Sequence, residues 1–188
     1  MRAGARTQHT WPRLASMTNN EPQQIELRST SEEDRTYIGR LNFLTDVMGD
    51  EAAEVSENFE RDYETYVDHW KSENGGFIAW CDFIPAGGAW LIWGDDEKRG
   101  YGFVSSDIPE VAIAVEKRFR GTGIGTQLLN ACIELARQLG APGISLCVDV
   151  RNPRAHQLYN RVGFQDIRFD EDKQLHVLEL RFGEVEEG

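Results

Sequence analysis

The chain has 188 residues, and its 32 acidic against 20 basic side chains give a formal net charge of -12. That length suffices for one hydrophobic core and leaves no room for two ordinary domains. The negative field repels nucleic acid phosphates and anionic membranes while it attracts cationic ligands, so neither nucleic acid nor membrane is expected as a partner. Three widely separated cysteines, Cys81, Cys132 and Cys147, make no Cys-x-x-Cys pair and match no histidine spacing. Neither a disulfide scaffold nor structural zinc is therefore expected, and no metal is expected.

Residues 1–21 carry no periodicity and are expected to form a mobile extension in which Met17 offers an alternative start. Arg2, Arg6 and Arg13 precede no apolar run, so the sequence supports neither a secretory signal nor a membrane span, and the expected location is cytoplasmic. Regular pattern begins at Ile25 and runs to Phe182, read as a single domain, with 183–188 an acidic tail. A short strand at Ile25-Glu-Leu27 is followed by Ser31-Glu-Glu-Asp34, a capping-box variant at the mouth of a helix. Helices are expected from about Glu33 to Val47 and from Asn58 to Lys71, the second placing Phe59, Tyr63, Tyr66, Val67 and Trp70 at spacings of three and four. Next, Phe77–Ile84 and Ala89–Trp93 read as a hairpin turning at Pro85-Ala-Gly-Gly88, followed by a polar loop, Gly94 to Gly100.

The following strand, Glu110 to Val115, leads into Arg120-Gly121-Thr122-Gly123-Ile124-Gly125 and a helix from Thr126 to Leu139. That helix carries an apolar stripe, Leu128, Leu129, Cys132, Ile133, Ala136 and Leu139, and Gly140 ends it. Strand Ile144–Val150 pairs parallel to the previous strand by the crossover rule. Asn152 and Pro153 sit as N-cap and N1 of a helix that stops at Gly163. Two strands, Phe164–Phe169 and Leu175–Phe182, close a mixed sheet flanked by helices.

Chemistry is most legible at the glycine-rich turn. Glycines at alternate positions remove the Cβ atoms that keep a pyrophosphate from the main chain, and the helix that follows offers free amides and a positive dipole end. Arg120 adds a positive charge. A P-loop needs Lys and then Ser or Thr after its last glycine, but Thr126-Gln127-Leu128 follows Gly125. The dinucleotide fingerprint needs a third glycine where Thr126 or Leu128 stands.

What remains, Arg-x-x-Gly-x-Gly after a strand ending in Val, resembles the pyrophosphate loop of the GNAT superfamily of acyl-CoA N-acyltransferases. A second stretch, Leu146 to Phe164 with Asn152, Tyr159 and Gly163-Phe164, is similar to the family's strand, asparagine and tyrosine helix. The two together cover Glu110 to Phe164. The sequence departs from the family in having Lys117 where many members have proline.

The resemblance implies an α/β (α+β) fold: a mixed, mostly antiparallel central sheet flanked by about four helices, with a parallel strand pair at the CoA site. It implies acetyl-CoA as co-substrate and transfer of its acetyl group to a primary amine by direct attack. Val115, Lys117, Arg120, Gly121, Gly123, Ile124, Gly125, Thr126 and Asn152 would bind acetyl-CoA, through main-chain groups at Val115 to Lys117. Tyr159 would protonate the leaving thiolate, and Glu110 would take the proton of the acceptor ammonium, whose pKa is about 10.4 in solution. Weaker candidates for the base are Asp149 and His176.

Other roles stay open at these positions. Ala155, Leu158, Tyr159 and Val162 also make an ordinary buried helix face, and Asn152 suffices as a cap. The aromatic set Phe77, Trp80, Phe83, Trp90, Trp93 and Phe103 reads as pocket wall, core or the face of a homodimer. The acceptor, a small or peptide amine, is not named by the sequence, and an acyl-CoA-binding sensor without turnover is the alternative to an enzyme.

Overall fold

The computed structural model describes residues 24–183. The expected N-terminal extension with Met17, and the acidic tail beyond Gly183, lie outside these residues. The fold is mixed α/β, a seven-stranded sheet in the order β1-β2-β3-β4-β5-β7-β6. Its strands are β1 Ile25–Ser29, β2 Gly76–Cys81, β3 Ile84–Ile92, β4 Glu110–Val115, β5 Gly143–Asp149, β6 Gln165–Asp170 and β7 Leu175–Arg181. Every neighbouring pair is antiparallel except β4 and β5, which run parallel.

Four helices cover the sheet: α1 Arg35–Asp46, α2 Phe59–Tyr63, α3 Ile124–Gln138 and α4 Pro153–Val162. The Asp34 carboxylate accepts the Ser31 N–H at 2.7 Å, so the capping device opens a short 3-10 turn, Glu32–Asp34, ahead of α1. The second expected helix is broken. Its α-helical turn passes at Glu64 into a π-helical turn that ends at Asp68, and Trp70 reaches the core from beyond the helix.

Alternation along the strands sorts the apolar residues into two layers. On one face, Ile78, Trp90, Ile92 and Ala114 pack with Ile38, Leu41 and Leu44 of α1 and with Tyr66 and Val67. On the other, Leu91, Val111, Leu146, Val148 and Leu178 pack with Leu128, Leu129 and Cys132 of α3 and with Tyr159 of α4.

The expected hairpin turn is misplaced in the sequence reading. The chain reverses at Asp82-Phe83, with Asp82 at φ 56°, while Pro85, Gly87 and Gly88 lie inside β3. Close approach explains the glycines: a Cβ on Gly87 would stand 2.6 Å from the Ala114 carbonyl oxygen, and one on Gly88 would stand 2.7 Å from Leu41 Cδ1. Pro85 sits opposite Trp80, where the register slips, so its missing N–H is tolerated.

Candidate active site at the splayed strand pair

The parallel pair is joined at one place. Glu110 pairs with Ser145, and the Ser145 N–H donates to the Pro109 carbonyl at 3.0 Å; beyond that rung the strands carry no further pairing toward their carboxyl ends. Glu116 gives its N–H to Ala86 of β3, so the alternate residues Ile113 and Val115 direct their backbone groups to the cleft side. A crevice at the carboxyl ends of parallel strands, lined by main chain that no strand pairs with, accepts an extended ligand as an added strand.

The glycine turn overhangs this crevice. Lys117–Phe119 form a 3-10 turn, and Gly121 and Gly123 follow with φ of 81° and 88°. Apart from its own chain neighbours, neither glycine has an atom of the described residues within 4 Å of where a Cβ would be, so their open side is free for a ligand. Gly123 is the N-cap of α3 and supplies no side chain, which leaves the amides of Ile124, Gly125 and Thr126 without helical partners. Ile124 is buried in the core, so only its N–H is offered.

Arg120 has partners within the fold. Its Nε donates to the Val115 carbonyl at 3.2 Å and its guanidinium to the Met48 carbonyl at 3.4 Å, so it ties the turn to β4 and to the chain after α1. Arg40 of α1 holds Glu116 in a two-point ion pair at 2.6 and 2.8 Å. These two arginines hold Val115 and Glu116, just before Lys117, which is itself exposed.

Glu110 stands at the one paired rung of β4 and β5, from which the strands part, and is 3% exposed. Its Oε1 accepts the Tyr66 hydroxyl at 2.8 Å and lies 3.9 Å from the Cys147 thiol, while Oε2 is buried with no hydrogen-bond partner. Tyr66 is fixed in turn by accepting the Tyr101 N–H at 2.8 Å. Burial pushes the Glu110 carboxyl up to about 7, against the opposing pull of Tyr66 and the nearby Gly102 amide. Burial also raises half-buried Asp62, beside Tyr101. Sequence periodicity placed Tyr66 on a helix face and gave no signal for Tyr101, Asp62 or Cys147, because they come from separate elements.

Tyr159 is 7% exposed, packs its ring 6.1 Å from Phe164, and makes no side-chain hydrogen bond among the described residues. Burial, and then the nearby Cys147, raise its pKa well above the phenol range. Asn152 caps α4, its Oδ1 accepting the Ala155 N–H at 3.2 Å. The two weaker base candidates are engaged elsewhere: Asp149 is paired with Arg151, which lowers its pKa, and His176 contacts Asp166. The aromatic set does not form one wall. Trp90 belongs to the α1/α2 layer, Phe77 packs on the α3/α4 layer, and Phe83 is 92% exposed at the β2–β3 turn.

The family model described as "Acetyltransferase (GNAT) family" matches residues 44–164, well over half of the chain. The chain belongs to the GNAT acetyltransferase family. A GNAT relative, an uncharacterized N-acetyltransferase of Methanocaldococcus jannaschii, is 44% identical over 54 residues, 29% of this chain and 24% of that protein. The curated relatives are thus matched over a quarter to about a third of their own length. Among solved structures, a GCN5-related N-acetyltransferase from Kribbella flavida superposes with a TM-score of 0.62 at 19% identity, covering 84% of this chain and 98% of that one. An N-acetyltransferase of Thermoplasma acidophilum in complex with coenzyme A superposes at 0.61 and 17% identity, covering 85% and 100%. At these identities the likeness establishes the GNAT fold. Among the described residues no helix is long and apolar enough to cross a membrane.

Proposed function

We propose that the chain transfers the acetyl group of acetyl-CoA to a primary amine of a small or cationic acceptor, by direct attack in a ternary complex. The observation that carries this reading is the Glu110 carboxylate, held at the rung where β4 and β5 part, with one buried oxygen unpartnered and its pKa raised to about 7. A base poised there removes the ammonium proton, directly or through a water, at physiological pH.

The remaining groups have definable tasks. The Gly121–Thr126 amides bind the pyrophosphate, and the backbone of Ile113 and Val115 holds the pantetheine arm along β4. A cleft-facing amide of β4 polarises the thioester carbonyl as negative charge develops on its oxygen. Tyr159, kept protonated by burial, donates to the departing thiolate. Asn152 contributes at the mouth of α4, and Arg120 acts by fixing the loop. The net charge of -12 and half-buried Asp62 favour a cationic acceptor.

Release of free thiol from acetyl-CoA, measured with a panel of amines for the wild type and Tyr159→Phe, tests the reading. Acceptor-dependent release that drops in the variant supports it. CoA binding without acceptor-dependent release across the panel overturns it in favour of an acyl-CoA sensor.

A further inference from the structure

A cluster of metal-ligating side chains stands apart from the cleft. His156 of α4, Asp166 of β6 and His176 of β7 each bring a donor atom to within 4.8 Å of the other two. His156 Nε2 lies 2.8 and 3.1 Å from the two Asp166 oxygens, and His176 Nδ1 lies 2.8 Å from Oδ1. The two imidazoles stack with centroids 4.5 Å apart, and the Phe169 ring packs 4.9 Å from His176.

A β-bulge creates this arrangement. Asp166 pairs with Leu178 and Phe169 with His176, and the register slips between Asp166 and Arg168. On a regular strand, residues three apart point to opposite faces; the extra residue turns Asp166 and Phe169 to the one face that His176 and Leu178 share. Helix α4 meets that face with His156, one turn before Tyr159 and on the same side of the helix.

The donor set decides the ion. Two imidazole nitrogens and one carboxylate suit a borderline divalent ion such as Zn2+, whereas Mg2+ and Ca2+ take oxygen donors. With Zn–N and Zn–O bonds of about 2.0–2.2 Å, tetrahedral ligands stand roughly 3.3 Å apart. The observed imidazole–carboxylate separations, 2.8 to 3.1 Å, fall a few tenths of an ångström below that value, and all three donor atoms lie within 4.8 Å of one another. The side chains are 26%, 41% and 29% exposed, which admits an ion from solvent and leaves a fourth position for water.

We propose that His156, Asp166 and His176 bind one divalent first-row transition ion of the Zn2+ class, which ties α4 to the β6–β7 hairpin and so steadies the helix that carries Tyr159. The expectation of no metal rested on sequence spacing. Here the ligands lie on three elements that only the bulge and the α4 packing bring together. The site is independent of the acetyltransfer reading.

The test uses tag-free full-length protein, stripped with a chelator and titrated with Zn2+ and with Co2+. Binding of one equivalent is expected, with the visible absorption bands of four-coordinate Co2+, a higher unfolding midpoint in Zn2+, and no competition from Mg2+. A lost outer-shell partner alone costs 10–100-fold in affinity, so His156→Gln, Asp166→Asn and His176→Gln should each weaken binding by about 100-fold or more. In the wild type, Zn2+ should shift the ring NMR signals of His156 and His176 and leave those of His69 in place, a readout that needs no variant to fold. Absence of saturable binding, affinity unchanged in the three variants, or a response at His69 instead would overturn the proposal.

Discussion

On the α1/α2 side of the cleft, Glu110, Tyr66 and Cys147 form a buried polar chain, whereas on the α3/α4 side Tyr159 belongs to an apolar layer with Leu146, Val148 and Phe164. Burial raises the pKa of both ionisable groups, with opposite chemical consequences. It lifts a carboxyl into the neutral range, where it becomes a stronger base still partly ionised at physiological pH. It moves the Tyr159 phenol further from that range, so the hydroxyl stays protonated at physiological pH and is a weaker acid than a free phenol. One physical effect thus leaves the two sides in different states at the same pH, Glu110 partly ionised and Tyr159 neutral.

The largest expected effect breaks the polar side. Glu110→Gln should lower kcat/KM by about 10²–10⁴-fold and remove the rising limb with apparent pKa near 7 from the pH profile of the wild type. A retained limb would place the base elsewhere. The stability effect has the opposite sign. Because the folded pKa is raised, the carboxyl favours folding fully below its unfolded pKa of roughly 4.3. That contribution is lost as pH rises through about 7. Glu110→Gln should therefore be more stable than the wild type at pH 8, by up to about 3 kcal/mol, in urea titrations at pH 5 and pH 8.

On the proposed reading the acyl donor enters over the glycine turn. Gly123→Glu puts a negative charge and a strained φ at the open side of the loop, and should weaken CoA binding by roughly 100-fold, about 2.7 kcal/mol, in calorimetry. Unfolding should remain cooperative, and unchanged CoA affinity would remove the turn from the site.

On the apolar side, Tyr159→Phe should reduce kcat by about 10²-fold while leaving the limb near pH 7 and the unfolding midpoint in place, since the hydroxyl makes no hydrogen bond among the described residues. An unchanged kcat would leave Tyr159 a core residue. The smallest effect separates cap from ligand at Asn152. Asn152→Ala should cost about 1 kcal/mol in urea, and Asn152→Asp should restore it. If the KM for acetyl-CoA follows only the capping, the side chain has no separate contact with the donor.

Much of this was readable in the letters. The stripe Leu128 to Ala136, the cap Asn152-Pro153 and the stop at Gly163 depend on neighbours within a turn, and the observed α4 has the expected limits. The turn at Pro85–Gly88 misled because the same residues serve close strand packing, a reason that lies in β4 and α1. Arg120 was legible as a cation but not as a clamp, because its acceptors, the Val115 and Met48 carbonyls, are set by the fold.

The sequence by itself determined the family, the glycine turn and the helix that carries Tyr159, because spacing along one chain encodes local backbone geometry and the apolar face of each element. Tertiary structure decided the rest. The isolation of Glu110 from water, its bond from Tyr66 and the gathering of His156, Asp166 and His176 arise where distant elements meet. Burial and the low dielectric that tunes a pKa belong to the packed assembly rather than to any segment.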